Sequence, residues 1–158
     1  MILYHGSNIA IDRINLSLSK PYKDFGKGFY ATDIRSQAED MARRRVRLTG
    51  FGSPIVTSFE FDECWLETDE IKSLVFPRVS VEWAKFVLDN RDLERKGFTH
   101  DYDIVVGPVA NDTVAFQLRR YILKVISLED LVRELEYKGL NNQYFFGSEL
   151  AISKLKRL

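Results

Sequence analysis

Cysteine is almost absent from this chain. Cys64 stands alone, which excludes an internal disulfide framework and any metal site built on clustered thiols. The two histidines, His5 and His100, are too scattered around it to argue for a metal. An excess of charge of either sign is missing as well. Lys and Arg number 23 and so do Asp and Glu, so no global field draws the chain to nucleic acid or to a membrane surface. No apolar run approaches the roughly 20 residues that span a bilayer. Met1-Ile2-Leu3-Tyr4-His5 lacks both the basic and the long apolar segments of a secretion signal. The glycine patterns of the Rossmann and P-loop phosphate sites are missing too. No third Gly follows Gly26 and Gly28 at the dinucleotide spacing, and no Gly-Lys-Ser/Thr occurs. These absences leave a cytoplasmic, reducing-compartment protein, expected as one domain over residues 1–158.

What is present fits a packed globule. Hydrophobic residues make up 45% of the 158 positions, eleven Phe among them, too many for a disordered chain. Ile2–His5, Phe29–Thr32, Ile104–Pro108 and Gln143–Phe146 read as strands, as does the alternating stretch 54–62, with Ile55, Thr57, Phe59 and Phe61 on one face. Asp33 is the expected N-cap of a helix over 34–47, stopped by Thr49-Gly50-Phe51-Gly52. Its apolar face would hold Ile34, Ala38, Met41, Ala42 and Val46. Ser80 opens a second helix with Trp83 on its flank, followed by a polar loop over 89–101. A third helix starts at Asn111-Asp112-Thr113, with Asp112 as its cap, and runs to about Lys124. Ser127 with Asp130 forms a capping-box start for a fourth, ended by Gly139. Ser148 caps a last helix that carries Lys154, Lys156 and Arg157. Strands interleaved irregularly with helices predict an α+β fold rather than a regular βαβ winding.

Three segments carry chemistry. Tyr4-His5-Gly6-Ser7 ends a strand in an imidazole, which can hydrogen-bond a ribose hydroxyl, and a glycine whose bare backbone can pair with a carboxamide. Phe25-Gly26-Lys27-Gly28-Phe29-Tyr30 sets two glycines before a strand bearing Tyr30, a flat ring for stacking with a hydroxyl to orient the partner. Asn142-Gln143-Tyr144-Phe145-Phe146 opens an apolar strand with amides able to donate to and accept from a ribose diol. Taken singly, each also fits a plain structural role: an edge histidine, a surface turn with a core tyrosine, an amide in a turn.

In this order the segments resemble the three sequence blocks of the ADP-ribosyltransferase superfamily, in the poly(ADP-ribose) polymerase-like branch whose triad is histidine, tyrosine and glutamate. That branch shows Phe-Gly-Lys-Gly-Ile-Tyr where this chain has Phe25–Tyr30. Tyr4–Ser7, Asp24–Thr32, Val105–Asp112 and Gln143–Leu155 also resemble a small bacterial family of the same superfamily. The resemblance implies a split β-sandwich with flanking helices and NAD+ in the cleft. His5 would bind the adenosine-side ribose, Gly6 the nicotinamide amide, and Tyr30 the nicotinamide ring. Ser7 and Gly28 belong to the same binding segments. Gln143 stands where the family has glutamate and would touch the nicotinamide ribose. Met41 falls eleven residues after Tyr30, at the place of a second stacking tyrosine, as a ring partner or as core. The serine that holds the amide falls at Ala38, with Ser36 nearby. Glu149 either supplies the missing charge or is a first-turn helix residue. Arg43-Arg44-Arg45 with Arg47 either grips phosphate or is a solvated face.

The function implied is an NAD+-dependent mono-ADP-ribosyltransferase with no metal, acting on a protein or nucleic-acid target. It would be a bacterial toxin or toxin relative, with an inhibitory antitoxin partner and no membrane partner. The alternative is a non-catalytic NAD+ or ADP-ribose reader that has lost the glutamate. A further option, a transferase that removes an RNA 2′-phosphate, needs basic phosphate ligands in the cleft. Tyr30→Ala and His5→Ala are expected to abolish NAD+ turnover and leave the fold intact.

Overall fold

A computed structural model of the chain describes residues 1–92, 99–109, 112–136 and 141–158. The fold is mixed α+β, with two sheets and five α-helices among the described residues. The strands are β1 (Ile2–Ser7), β2 (Phe29–Ala31), β3 (Ile55–Phe61), β4 (Ser73–Val75), β5 (Ile104–Pro108), β6 (Asn142–Phe146) and β7 (Leu155–Arg157). The helices are α1 (Arg35–Thr49), α2 (Val81–Arg91), α3 (Asp112–Ile122), α4 (Leu128–Glu136) and α5 (Glu149–Ser153). One sheet has the order β1-β3-β7 and the other β2-β6-β5-β4.

The two sheets pack face to face because alternation sorts their side chains. On the four-stranded sheet Phe29, Ala31, Ile104, Val106, Tyr144 and Phe146 face Leu3, Phe59 and Phe61 of the other sheet, forming one core. The intervening Val105 and Phe145 point the opposite way, into a second core with Trp83, Val87, Val114, Leu118, Leu131 and Leu135 of α2, α3 and α4. Both faces of β5 are therefore covered. That is why it reads as a continuous apolar run in which all five residues are buried. On the far side of the three-stranded sheet, α1 lies against β1, with Ala38 seated on Gly6.

The sheets meet at one corner. Tyr4 of β1 and Thr32, just beyond β2, form an isolated antiparallel bridge, Tyr4 N–H to Thr32 O at 2.7 Å and Thr32 N–H to Tyr4 O at 3.0 Å. Beyond this bridge β1 and β2 part.

Several expectations hold. Ser80 and Ser148 cap α2 and α5, their hydroxyls accepting from Trp83 N and Ala151 N. Ser127 and Asp130 form the reciprocal capping box of α4. Others are corrected. Asp33 does not cap α1; Ile34 holds that position without a side-chain bond, and the hydroxyl of Thr32 accepts from Ile34 N instead. Thr32 is already pinned by the Tyr4 bridge and reaches the helix start first. Met41 is not on the buried face but 48% exposed, because Ala38 and Ala42 alone meet β1 closely. Trp83 lies wholly inside, its indole N–H donating to Pro108 O at 3.2 Å. The loop expected over 89–101 begins later, since α2 continues through Arg91. The last helix ends at Ser153, and Leu155–Arg157 turns into a strand against β3. Asp112, expected as a cap, is the first residue of α3, and the stop expected at Gly139 falls outside the described residues.

Candidate functional site

His5, Tyr30 and Gln143 come from three distant segments: His5 meets the Tyr30 backbone at the sheet corner, and Gln143 lies diagonal to Tyr30 on the neighbouring strand β6. His5 projects from β1 toward β2. Its ring stacks on Phe29, with centroids 4.5 Å apart, and its Nδ1 lies 2.7 Å from Tyr30 O. A carbonyl only accepts, so Nδ1 carries the hydrogen and Nε2 of the neutral ring is left as an acceptor. Burial holds the His5 pKa below the ordinary 6.5, the Tyr30 carbonyl works against that, and Lys23 and Arg45 add to the lowering.

That shift has a measurable consequence. With a folded pKa below the unfolded one, the unfolded chain binds the proton more readily. The stability owed to neutral His5 is complete above pH 6.5 and is lost as the pH falls through the folded value. Thermal melts between pH 7.5 and pH 5 (roughly the span of imidazole titration) are expected to fall more steeply for the wild type than for His5→Gln. Parallel curves would mean that His5 protonates without cost.

Gly6 is placed by a different constraint. Its Cα faces α1 so closely that a Cβ would lie 1.9 Å from Ala38 O. Its amide and carbonyl point sideways. Backbone groups alternate along a strand, so those of Gly6 face the same side as those of Tyr4, toward β2 and just past the bridge. Ser7 is buried beside it, its hydroxyl accepting from Ile9 N at 3.5 Å.

Tyr30 pairs with Phe145 across β2 and β6, and its ring meets the Phe145 ring edge-on at 5.3 Å. The hydroxyl accepts from Phe25 N at 3.0 Å and donates to Gly26 O at 2.8 Å. Its single proton is therefore committed to the turn that precedes β2, not to orienting a stacked ligand. Gly26 adopts φ +87°, which favours glycine, and Gly28 lies so close to the Phe145 ring that a Cβ would sit 2.1 Å from it. The Lys23 ammonium lies 4.8 Å from the Tyr30 ring centroid. Although the Lys23 side chain is largely exposed, its pKa is held down by desolvation and by Arg45 and Lys20.

Gln143 faces the same side of the four-stranded sheet as Phe145, diagonal to Tyr30. Its neighbour is a residue that sequence reasoning missed. Gln143 Nε2 donates to Asp24 Oδ2 at 2.8 Å, and Arg91 holds the other oxygen, Oδ1, through Nε at 2.7 Å. Asp24 is only 7% exposed. Its one sequence signal was membership of the shared stretch Asp24–Thr32.

The remaining candidates lie elsewhere. Ser36 and Met41 are exposed on α1, and no hydrogen bond ties either to His5, Tyr30 or Gln143 among the described residues. Glu149 is an exposed first-turn residue of α5. Arg43 pairs with Asp40 at 2.9 Å, whereas Arg45 contributes to the field at His5 and Lys23. His100 sits near Gly26, with Nε2 2.8 Å from Phe25 O. No group of three His, Cys, Asp or Glu side chains suited to a metal gathers among the described residues. A cavity of about 490 Å³ opens between α3 and α4, lined by Tyr121, Val125, Ser127 and Asp130 among others. Ser127 and Asp130 are consumed by the helix cap, so this cavity lacks the convergent free polar groups of a ligand site. Among the described residues no helix is long and apolar enough to cross a membrane.

A family model described as "Protein of unknown function (DUF3990)" matches residues 1–157. No curated protein and no solved structure matches the chain.

Proposed function

We propose, for a chain that belongs to the DUF3990 family, an NAD+-dependent mono-ADP-ribosyltransferase on an ADP-ribosyltransferase-like split β-sandwich. The observation that carries this reading is that His5 meets the Tyr30 backbone where β1 and β2 part beyond a single bridge, with Gln143 diagonal to Tyr30 on the adjoining β6. Each residue has chemistry that suits NAD+. The Nε2 of neutral His5 accepts a hydrogen bond, as a ribose hydroxyl requires. The amide and carbonyl of Gly6 face the same gap and match a carboxamide.

Tyr30 supplies the most telling fit. Its ring already holds a cation, the Lys23 ammonium. The nicotinamide ring of NAD+ is itself cationic, so it can take the ammonium's place on the ring face. When the bond to ribose breaks, nicotinamide departs with the electron pair as a neutral ring, and that attraction falls away. The ribose left behind is oxocarbenium-like, as in glycoside cleavage. An acceptor nucleophile then bonds to the anomeric carbon and gives up its proton. Groups that stabilise positive charge at the ribose accelerate the step.

The acceptor would be a protein or nucleic acid in the cytoplasm, and an inhibitory partner would restrain the enzyme in the producing cell. Mono-transfer suits Gln143 better than polymer elongation, which wants a carboxylate to activate a hydroxyl. The neutral amide also favours a second reading, a reader that binds NAD+ or ADP-ribose without turnover. Calorimetry with NAD+ on the purified chain, paired with an assay for released nicotinamide, separates these readings. Binding with release is expected. Binding without release supports the reader, and a folded chain that does not bind NAD+ ends both.

A further inference from the structure

Gln143 has no charge of its own, yet it is wired to one. From the geometry around it we infer that Asp24 is a positioning residue, one that turns the Gln143 amide into a fixed acceptor and places a carboxylate behind it. This rests on the transferase reading above.

The orientation follows from which partners are present. Gln143 Nε2 lies 2.8 Å from Asp24 Oδ2 and 3.4 Å from Pro108 O. An ion-paired carboxylate and a backbone carbonyl only accept, so the NH2 end of the amide must face them. A flipped amide would set Oε1 against two acceptors. Oε1 is thereby held on the other side of the amide with no hydrogen to offer, which is how a glutamate oxygen presents itself to a ribose hydroxyl. Gln143 is half-buried, so this acceptor remains within a ligand's reach.

The charge follows from the ion pair. Arg91 engages Oδ1, with Nη2 at 2.5 Å, and leaves Oδ2 to the Gln143 amide. One carboxylate oxygen therefore lies in direct contact with the amide. A carboxylate accepting from Nε2 draws the amide hydrogen toward itself and raises the electron density on Oε1. Asp24, not Glu149, is thus the acidic group nearest the third triad position.

The arrangement also explains why a glutamate at position 143 would not suit this chain. Its carboxylate would stand against Asp24 at the distance of the present hydrogen bond. Two carboxylates so close cannot both ionise freely.

The test uses nicotinamide release from NAD+ in four proteins: wild type, Asp24→Asn, Gln143→Glu and the double variant. Asp24→Asn is expected to lower kcat roughly 10- to 100-fold, the scale of losing one orienting partner, with KM for NAD+ little changed. Gln143→Glu is expected to be slower than wild type although it restores the family residue. In the double variant the amide introduced at position 24 can donate to the carboxylate introduced at position 143, and release is expected to recover to the wild-type rate or beyond. Full kcat in Asp24→Asn, faster release in Gln143→Glu alone, or a double variant no better than the worse single would each overturn the inference. If Asp24→Asn does not fold, Gln143→Glu still decides. The side-chain amide protons of Gln143, followed by NMR, provide a readout that needs no turnover. Slow exchange that is lost in Asp24→Asn supports the orientation, and exchange indifferent to Asp24 overturns it. A wild type that shows this protection but never splits NAD+ would end the transferase reading while leaving the Asp24–Gln143 coupling in place.

Discussion

Tyr30→Ala is expected to weaken NAD+ binding at least tenfold and to destabilise the fold as well, whereas Tyr30→Phe separates the two effects. Alanine removes the ring on which the nicotinamide would stack, a contact worth about 1–3 kcal/mol for a stacked base. It also removes packing against Phe145 and the hydroxyl that ties Phe25 N and Gly26 O. For a half-buried aromatic these losses amount to about 2–4 kcal/mol, somewhat below a full core truncation. The expectation from sequence that this variant leaves the fold intact is therefore revised. Phenylalanine keeps the ring and loses only the hydroxyl. It leaves Phe25 N without its acceptor, at a cost of about 1–2 kcal/mol, and should bind NAD+ within a few-fold of wild type. Calorimetry with NAD+ alongside thermal melts reads both effects. Tyr30→Ala binding with undiminished affinity would remove Tyr30 from the site.

Gly6→Ala is expected to be strongly destabilising. The added Cβ would lie 1.9 Å from Ala38 O and 2.8 Å from Ala42 N. Both are backbone atoms of a 15-residue helix, so neither can rotate away. Relief requires α1 to lift from β1, losing the seat of Ala38 and Ala42. Overpacking of this kind costs about 3 kcal/mol or more, which corresponds to a fall in Tm of roughly 6–12 °C for a chain of this size. Because Gly6 itself borders the gap between β1 and β2, NAD+ binding should fall together with stability. A Gly6→Ala protein melting at the wild-type temperature would mean that α1 does not press on β1 as described.

Sequence made some of this readable and hid the rest for identifiable reasons. β3 announces itself by alternation, and β5 by an apolar run, because burial of one face or of both is written into consecutive residues. The caps at Ser80, Ser127 and Ser148 are equally local. β4 has three residues and exists only through its parallel pairing with β5, so nothing within Ser73–Val75 marks it. β7 follows α5 after one residue and takes its conformation from β3. His5, Tyr30 and Gln143 were visible as members of recognisable segments. Asp24 lay within one of those segments, but its role was hidden because it depends on Arg91 and Gln143, and the latter is 119 positions away.

That separation bears on how the chain is made. While it is being synthesised, β1 and β3 can pair once residue 61 has emerged, but β3 acquires its second neighbour only from Leu155–Arg157. β2 waits for β6, which brings Gln143 to Tyr30 and Asp24. Contacts this distant in sequence form late, after the entropy of closing long loops has been met. A ribosome-bound fragment that already carries His5 and Tyr30 would still lack the strand that completes their surroundings. Under the reading proposed above, NAD+ would meet His5, Tyr30 and Gln143 together only after β6 has been made and has paired with β2.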